Sequence, residues 1–422
     1  MRRQSLPHRA TATASLEGHG CLYGVRRKIS RKIKGVQRNL TLTPIITAST
    51  YLGMVSIGAI NGSYGAALEI LRTTFGVSDA QLGLLGTAQT VGGLLGNLSS
   101  GLLERLLTAG QRLSLGGLTF ALGAVWFALS EQFELAMLAL FVMGLGMGLF
   151  QINFSKLYSR GFGVRSGAVM TVMSTAFAVG SIAGPVMAAA LSSNYRLLPI
   201  AFGVLSAILA LTLLPAREAS QAAPSISGQP VRLSLTAWLF ALMVFFYVMA
   251  EQSASFWGVA HLESVGETHD AAALVMSLFW TALLIGRFAG AALSLRFSSR
   301  AMMLGSASGA TLCLVAAHVP ALASPAYIGA GLCLAAVFPT GLVWLARFNP
   351  SSHAITLYFV AASVGAAIGL PLIGWLKNLF GAGAIPTALT VSSGLCLLMI
   401  YAIGSRQLQD DGGAQVSLES RA

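Results

Sequence analysis

Two charged side chains stand inside apolar runs of this 422-residue sequence: Glu251 in "FFYVMAEQSASFWG", residues 245–258, and Arg287 in "LLIGRFAGAALSLRF", residues 283–297. A carboxyl in an apolar setting has a raised affinity for protons and can carry one. A guanidinium there can clamp a carboxylate or a hydroxyl through its fork of N–H donors. If the runs cross a membrane, each charge at mid-depth costs about 2.5–3.5 kcal/mol by insertion scales, and such residues face a protein interior or a watery cavity. Other groups able to touch a polar solute lie nearby in pattern: Asn61 and Tyr64 in "INGSYGAALE", Gln151 and Asn153 in "GLFQINFSK", Gln252 and Trp257 beside Glu251, and Trp344 in "FPTGLVWLA". Glu251 is therefore the candidate proton carrier. Arg287 and those seven residues are candidate solute contacts. Glu251 and Arg287 differ in depth by about 9 Å at the helical rise, which leaves room for solute or water between them.

Other chemistries find no residues. His261 and His269 are eight positions apart with no third ligand, so no metal site is expected. No Gly-x-x-x-x-Gly-Lys loop cradles a nucleotide phosphate, and no nucleophile stands beside a base. Neither a cofactor nor an enzymatic activity is expected. Cys313, Cys333 and Cys396 lie in apolar runs and Cys21 in a basic head, which suits packing rather than disulfides.

The elements that must position these groups are set by composition. The chain is 55% hydrophobic and only 9% charged, against about 25% charged in soluble domains. A soluble chain this apolar would expose large apolar patches and aggregate. Its net charge of +12 does not point to nucleic acid, because the basic residues concentrate in an N-terminal tail and in short loops. The lipid bilayer is the expected partner, along with a small-molecule solute and protons.

A span needs about 20 apolar residues. Twelve are read, near 43–67, 81–103, 113–130, 135–157, 167–191, 197–216, 235–260, 271–295, 301–319, 324–346, 354–376 and 384–404. The expected fold is all-α: two six-helix bundles, residues 41–216 and 235–405, joined by a cytoplasmic linker at 217–234. A basic tail, 1–40, precedes them and a short tail, 406–422, follows. The basic tail carries "VRRKISRKIKGVQR", which suits contact with anionic lipid. With both termini cytoplasmic, 22 of 26 basic residues lie inside, three (Arg72, Arg196, Lys377) lie outside and Arg287 is in a span. A monomer in a plasma or bacterial inner membrane is the expectation.

The halves read as parallel repeats. "AFAVGSIAGPV" near 176–186 has a counterpart in "AASVGAAIGLP" at 361–371, and "GVSDAQLGLL" at 76–85 a weaker one in "GETHDAAALV" at 266–275. Gly-x-x-x-Gly recurs as Gly92/Gly96, Gly180/Gly184, Gly286/Gly290 and Gly365/Gly369 in spans 2, 5, 8 and 11, and as Gly144/Gly148 in span 4. Such pairs let helices approach closely in lipid. Polar residues collect in spans 1, 4, 7 and 10. A cavity lined by those four helices, with 2, 5, 8 and 11 forming the interface that rocks, is the expected design of an alternating-access transporter.

Over residues 41–405 the chain resembles the major facilitator superfamily. "GLLERLLTAGQR", 101–112, is similar to that family's loop between spans 2 and 3, with Glu104 as its acid at a shorter spacing from Gly101 and two extra residues before Gly110. The resemblance implies that Glu104, Arg105 and Arg112 latch the two halves on the cytoplasmic side. "FFYVMAEQSASFWG", "IGRFAGAALSLRF" and "FPTGLVWLA" are similar to spans 7, 8 and 10 of the fucose–galactose–proton symporter branch. That implies sugar uptake coupled to protons. The branch carries acids midway along spans 1 and 4. Here the corresponding stretches have none in the middle, leaving Glu251 as proton candidate and Glu69, near the outer end of span 1, next. A drug or metabolite efflux protein of the same superfamily and a non-transporting receptor remain as alternatives.

Overall fold

The computed structural model describes residues 43–162, 166–191, 194–216, 234–348 and 351–419. The basic tail with Cys21 and the linker from 217 to 233 lie outside the described residues. Thirteen α-helices follow in order: α1 (Pro44–Phe75), α2 (Asp79–Leu103), α3 (Ala109–Leu129), α4 (Phe133–Phe162), α5 (Ser166–Ala190), α6 (Leu197–Leu213), α7 (Leu235–Ser264), α8 (His269–Leu293), α9 (Ser299–Ala316), α10 (Ala323–Leu334), α11 (Val337–Phe348), α12 (Ser352–Phe380) and α13 (Ala384–Glu419).

These make twelve spans, because α10 and α11 are two pieces of the tenth. Eight stretches are long and apolar enough to cross a membrane, and two shorter apolar ones belong to α5 and α6. The remaining two, α2 and α9, are diluted by glycine, serine and threonine. The tenth span was expected to be continuous over 324–346. It breaks at residues 335–336 because Pro339 has no N–H to give to the carbonyl four residues back and its ring crowds that carbonyl. The Tyr358 hydroxyl donates to the Phe338 carbonyl at 2.9 Å beside the break. The last helix runs on to Glu419, past the expected span end.

Local chemistry sets the helix ends. Thr43, Ser78, Thr108, Ser234, Thr268, Ser298 and Ser351 each accept a hydrogen bond from a first-turn N–H. The repeat is visible here. Gly76, at φ 62°, and Gly266, at φ 106°, make the matching left-handed turns before α2 and α8.

Helices α1–α6 pack as one bundle and α7–α13 as a second. Between bundles, α2 lies on α12, α5 on α8 and α1 on α7, so spans 2, 5, 8 and 11 do form most of the interface. The glycine pairs, however, face the other way. A Cβ at Gly180 or Gly184 would strike the Val55 or Ala59 carbonyl of α1; one at Gly92 or Gly96 would strike Phe141 or Leu145 of α4. Gly144 and Gly148 return the contact to α2. In the second bundle Gly365 meets Phe245 of α7, Gly369 meets Met249, and Gly286 meets Leu332 of α10. The pairs therefore lock each bundle internally, in the same arrangement twice: 5 on 1 and 11 on 7, 2 on 4 and 8 on 10. They are not the sliding surface.

Candidate functional site

We call the side on which α1 begins the near face and the opposite side the far face. The bundles close on each other toward the far face. There a Cβ added at Gly65 of α1 would come within 2.6 Å of the Ser255 carbonyl oxygen of α7, and one at Gly83 of α2 within 2.5 Å of Pro371 Cα. Only glycine permits these crossings. Lys377 Nζ of α12 meets Asp79 Oδ1 of α2 at 2.9 Å, with side chains 18% and 11% exposed. The Asp79 N–H donates to Asn378 Oδ1 at 3.3 Å. The same ammonium stands 5.5 Å from the Trp257 ring centre, and Trp257 Nε1 donates to the Leu370 carbonyl at 3.0 Å.

Pro371 explains one further bond. It cannot donate to the Ala367 carbonyl inside α12, so that oxygen is left over. Thr87 of α2 fills it, its hydroxyl donating at 2.6 Å across the bundle interface.

Toward the near face the bundles part. A cavity of about 570 Å³ lies between α5, α8 and α11, lined by Ser174, Thr175, Arg287, Phe338, Thr340 and Arg347 among others. Among the described residues no Asp or Glu is in its lining. Arg287 is half-buried, and no ion pair within 4 Å joins it to Glu251. Glu251 is only 6% exposed and its Oε1 has no hydrogen-bond partner. Tyr247 and Gln252 are the polar groups beside the carboxyl, and Arg287 is the neighbouring charge.

The structure separates the other candidates. Trp257 is fully buried in the far-face closure, its indole N–H already engaged. Trp344 is 3% exposed and packs edge-on to Phe240 at 5.2 Å, inside the second bundle. Tyr64 borders a small void of about 30 Å³ with Phe127 and Tyr195 in the first bundle, and its hydroxyl has no partner. Asn153 is 1% exposed; it accepts from Arg112 Nε at 2.7 Å and from Ser100 at 3.1 Å, and donates to the Leu149 carbonyl at 2.8 Å. These four are placed away from the near-face cavity because their polar atoms or rings are turned into packed protein. Asn61, Gln151 and Gln252 are half-buried and also lie outside that cavity's lining. Of the eight expected solute contacts only Arg287 lines it.

The expected latch residues tie their loop to α4 of the same bundle. Lys156 Nζ bonds Glu104 Oε2 at 2.9 Å and Ser100 at 3.2 Å. Arg112, 2% exposed, holds Asn153 and the Leu107 carbonyl at 2.9 Å. Arg105 is exposed. His261 and His269 turn to different partners, Tyr327 at 3.2 Å and Glu263 at 2.6 Å. Sequence reasoning missed Asp79, Lys377, Thr87 and Arg347. The first two and Arg347 sit at helix ends and read as ordinary loop charges.

The fold has known counterparts. A sequence model described as Major Facilitator Superfamily matches residues 50–330. No curated protein matches the chain. Among solved structures, a bacterial homologue of the human lysosomal transporter Spinster, in an inward-facing and occupied conformation, superposes with TM-score 0.71 at 15% identity, covering 87% of this chain and 97% of that one. A D-xylose–proton symporter gives TM-score 0.70 at 15% identity, covering 85% and 97%. The nucleoside transporter NupG, as a point variant, gives 0.68 at 14% identity, covering 86% and 99%.

Proposed function

Because the chain belongs to the major facilitator superfamily, we propose that it is a secondary active transporter that moves a small polar solute by alternating access, with Arg287 binding the solute and Glu251 carrying the coupling proton. One observation carries the reading: a cavity with Arg287 and Arg347 in an otherwise largely apolar lining opens toward the near face, while the far face is shut by contacts between the two bundles. Alternating access needs such a closure on one side only at a time, made by groups that can separate without unfolding either bundle. Glycine crossings, one ion pair and two hydrogen bonds meet that need.

The near face is the cytoplasmic one in this proposal, because the loops on that side carry most of the Lys and Arg. The cavity volume lies within the usual range for small-ligand sites, about 300–1,000 Å³, and suits a solute of sugar size. Asn61, Gln151 and Gln252, on α1, α4 and α7, are proposed to reach the solute as the near face closes. Glu251 suits a proton carrier because its carboxyl is buried, its Oε1 has no hydrogen-bond partner, and a carboxyl can take up or release a proton. The protein is proposed to work as a monomer in a plasma or bacterial inner membrane.

The test is uptake of a labelled sugar panel into proteoliposomes, with and without an imposed proton gradient. Accumulation that requires the gradient supports the proposal. Stimulation only by apolar cations would instead mark an efflux protein, and binding without flux a receptor.

A further inference from the structure

We infer that the solute is an organic anion, gripped through a carboxylate or phosphate group by Arg287 with Arg347 guarding the near mouth; this rests on the transporter reading above. Among the described residues the cavity lining contains two guanidiniums and no carboxylate. Arg287 is half-buried on α8, yet its guanidinium has no hydrogen bond or ion pair with any described residue. Arg347, exposed at the last turn of α11, has none either. Glu251 is buried, is not among the lining residues and does not pair with Arg287 within 4 Å.

While the cavity is open to water, hydration satisfies Arg287. Closing the near face removes that water, and an uncompensated buried ion is strongly unfavourable. A neutral sugar offers only hydroxyl acceptors and leaves the charge bare. A carboxylate or phosphate cancels it and matches the two parallel N–H donors of the fork. Glu251 cannot be a standing counterion and the proton carrier at once, since its protonated form returns Arg287 to an unpaired cation. Proton on Glu251 and anion on Arg287 therefore load together, the anion's charge offsetting that of Arg287 in the closed cavity. The rest of the lining is mainly apolar, with Leu284, Phe288, Met302 and Phe338, and Thr340 adds a hydroxyl, which suits a carbon skeleton with both apolar and hydroxylated faces.

The experiment uses the purified full chain in lipid nanodiscs and reads its thermal unfolding midpoint against two neutral parents and their acids. Glucose is set against glucuronate and glucose 6-phosphate, and glycerol against glycerate and glycerol 3-phosphate. At millimolar concentration at least one acid raises the midpoint and its neutral parent does not; the carboxylate and phosphate arms show which head group is taken. Arg287→Gln then raises the half-saturating concentration of that acid by about 10–100-fold, the worth of hydrogen bonds to a charged group, and Arg287→Lys by less. A neutral parent acting as strongly as its acid, no response to any acid, or an unchanged response in Arg287→Gln would each overturn the assignment. Counterflow of the labelled compounds in proteoliposomes separates the two failures. Flux of a neutral parent without an acid response removes the anion and keeps the transporter; no flux of any compound removes the transporter.

Discussion

Replacing Asp79 by asparagine should open the far face. The Asp79–Lys377 pair joins α2 to α12 at 2.9 Å, and its side chains are only 11% and 18% exposed. Exposed pairs contribute about 0–1 kcal/mol, but hydrogen bonds to charged groups in partly buried sites contribute about 1.5–3. Asparagine keeps the size of the side chain and removes the charge, leaving the Lys377 ammonium over the Trp257 ring without its anion. Once the far face opens, water reaches both groups and the loss matters little there. The closed state alone is penalised, by about 2 kcal/mol, which shifts the closed-to-open ratio by up to about 30-fold. The assay is a distance between spin labels at Gln132→Cys and Gly383→Cys, exposed far-face loop positions in opposite bundles, on a background with the four native cysteines replaced. The variant should gain a population at longer distance, and the swap Asp79→Lys with Lys377→Asp should remove it again. A distance distribution identical to that of the unmodified gate would refute the reasoning.

Three further outcomes follow from the same contacts. Thr87→Val leaves the Ala367 carbonyl unfilled beside Pro371 and should shift the same label distance outward, at a cost of about 1–3 kcal/mol to the closed state; an unchanged distance would show that the bond contributes nothing. Gly184→Leu collides with α1 of its own bundle and should give polydisperse protein on size-exclusion chromatography, whereas Gly83→Leu collides with Pro371 of the other bundle and should give monodisperse protein that cannot close its far face; equal profiles would contradict the division of labour among glycines. Reporter fusions at residue 225 should read cytoplasmic and at residue 266 external, and the reverse would sink the proposed orientation.

The spans were legible because length and hydropathy decide them. The break at 335–336 was not read, since "GLCLAAVFPTGLVW" is continuously apolar and hydropathy does not register the clash a proline makes four residues back. Glycine spacing was visible, but the partner of each pair is a property of the folded bundle. Asn153 and Trp257 show the harder limit. Polar residues at cavity depth announce themselves by type, yet residues one apart on a helix point about 100° apart. The run Glu251, Gln252, Ser253, Ser255 and Trp257 covers every side of α7, so the whole set could not face one cavity. Asp79 and Lys377 lie 298 positions apart, and nothing local in either stretch names the other.

Glu251 is proposed to couple proton entry to movement of a solute held at Arg287. The most direct test of that coupling compares two fluxes in proteoliposomes carrying Glu251→Gln, using a solute that the unmodified protein accumulates. The amide keeps hydrogen-bonding capacity but cannot titrate. Exchange of labelled solute at equal concentrations on both sides should survive, because it needs no net proton movement, while accumulation driven by an imposed proton gradient should vanish. Gradient-driven accumulation that persists in Glu251→Gln would contradict the account.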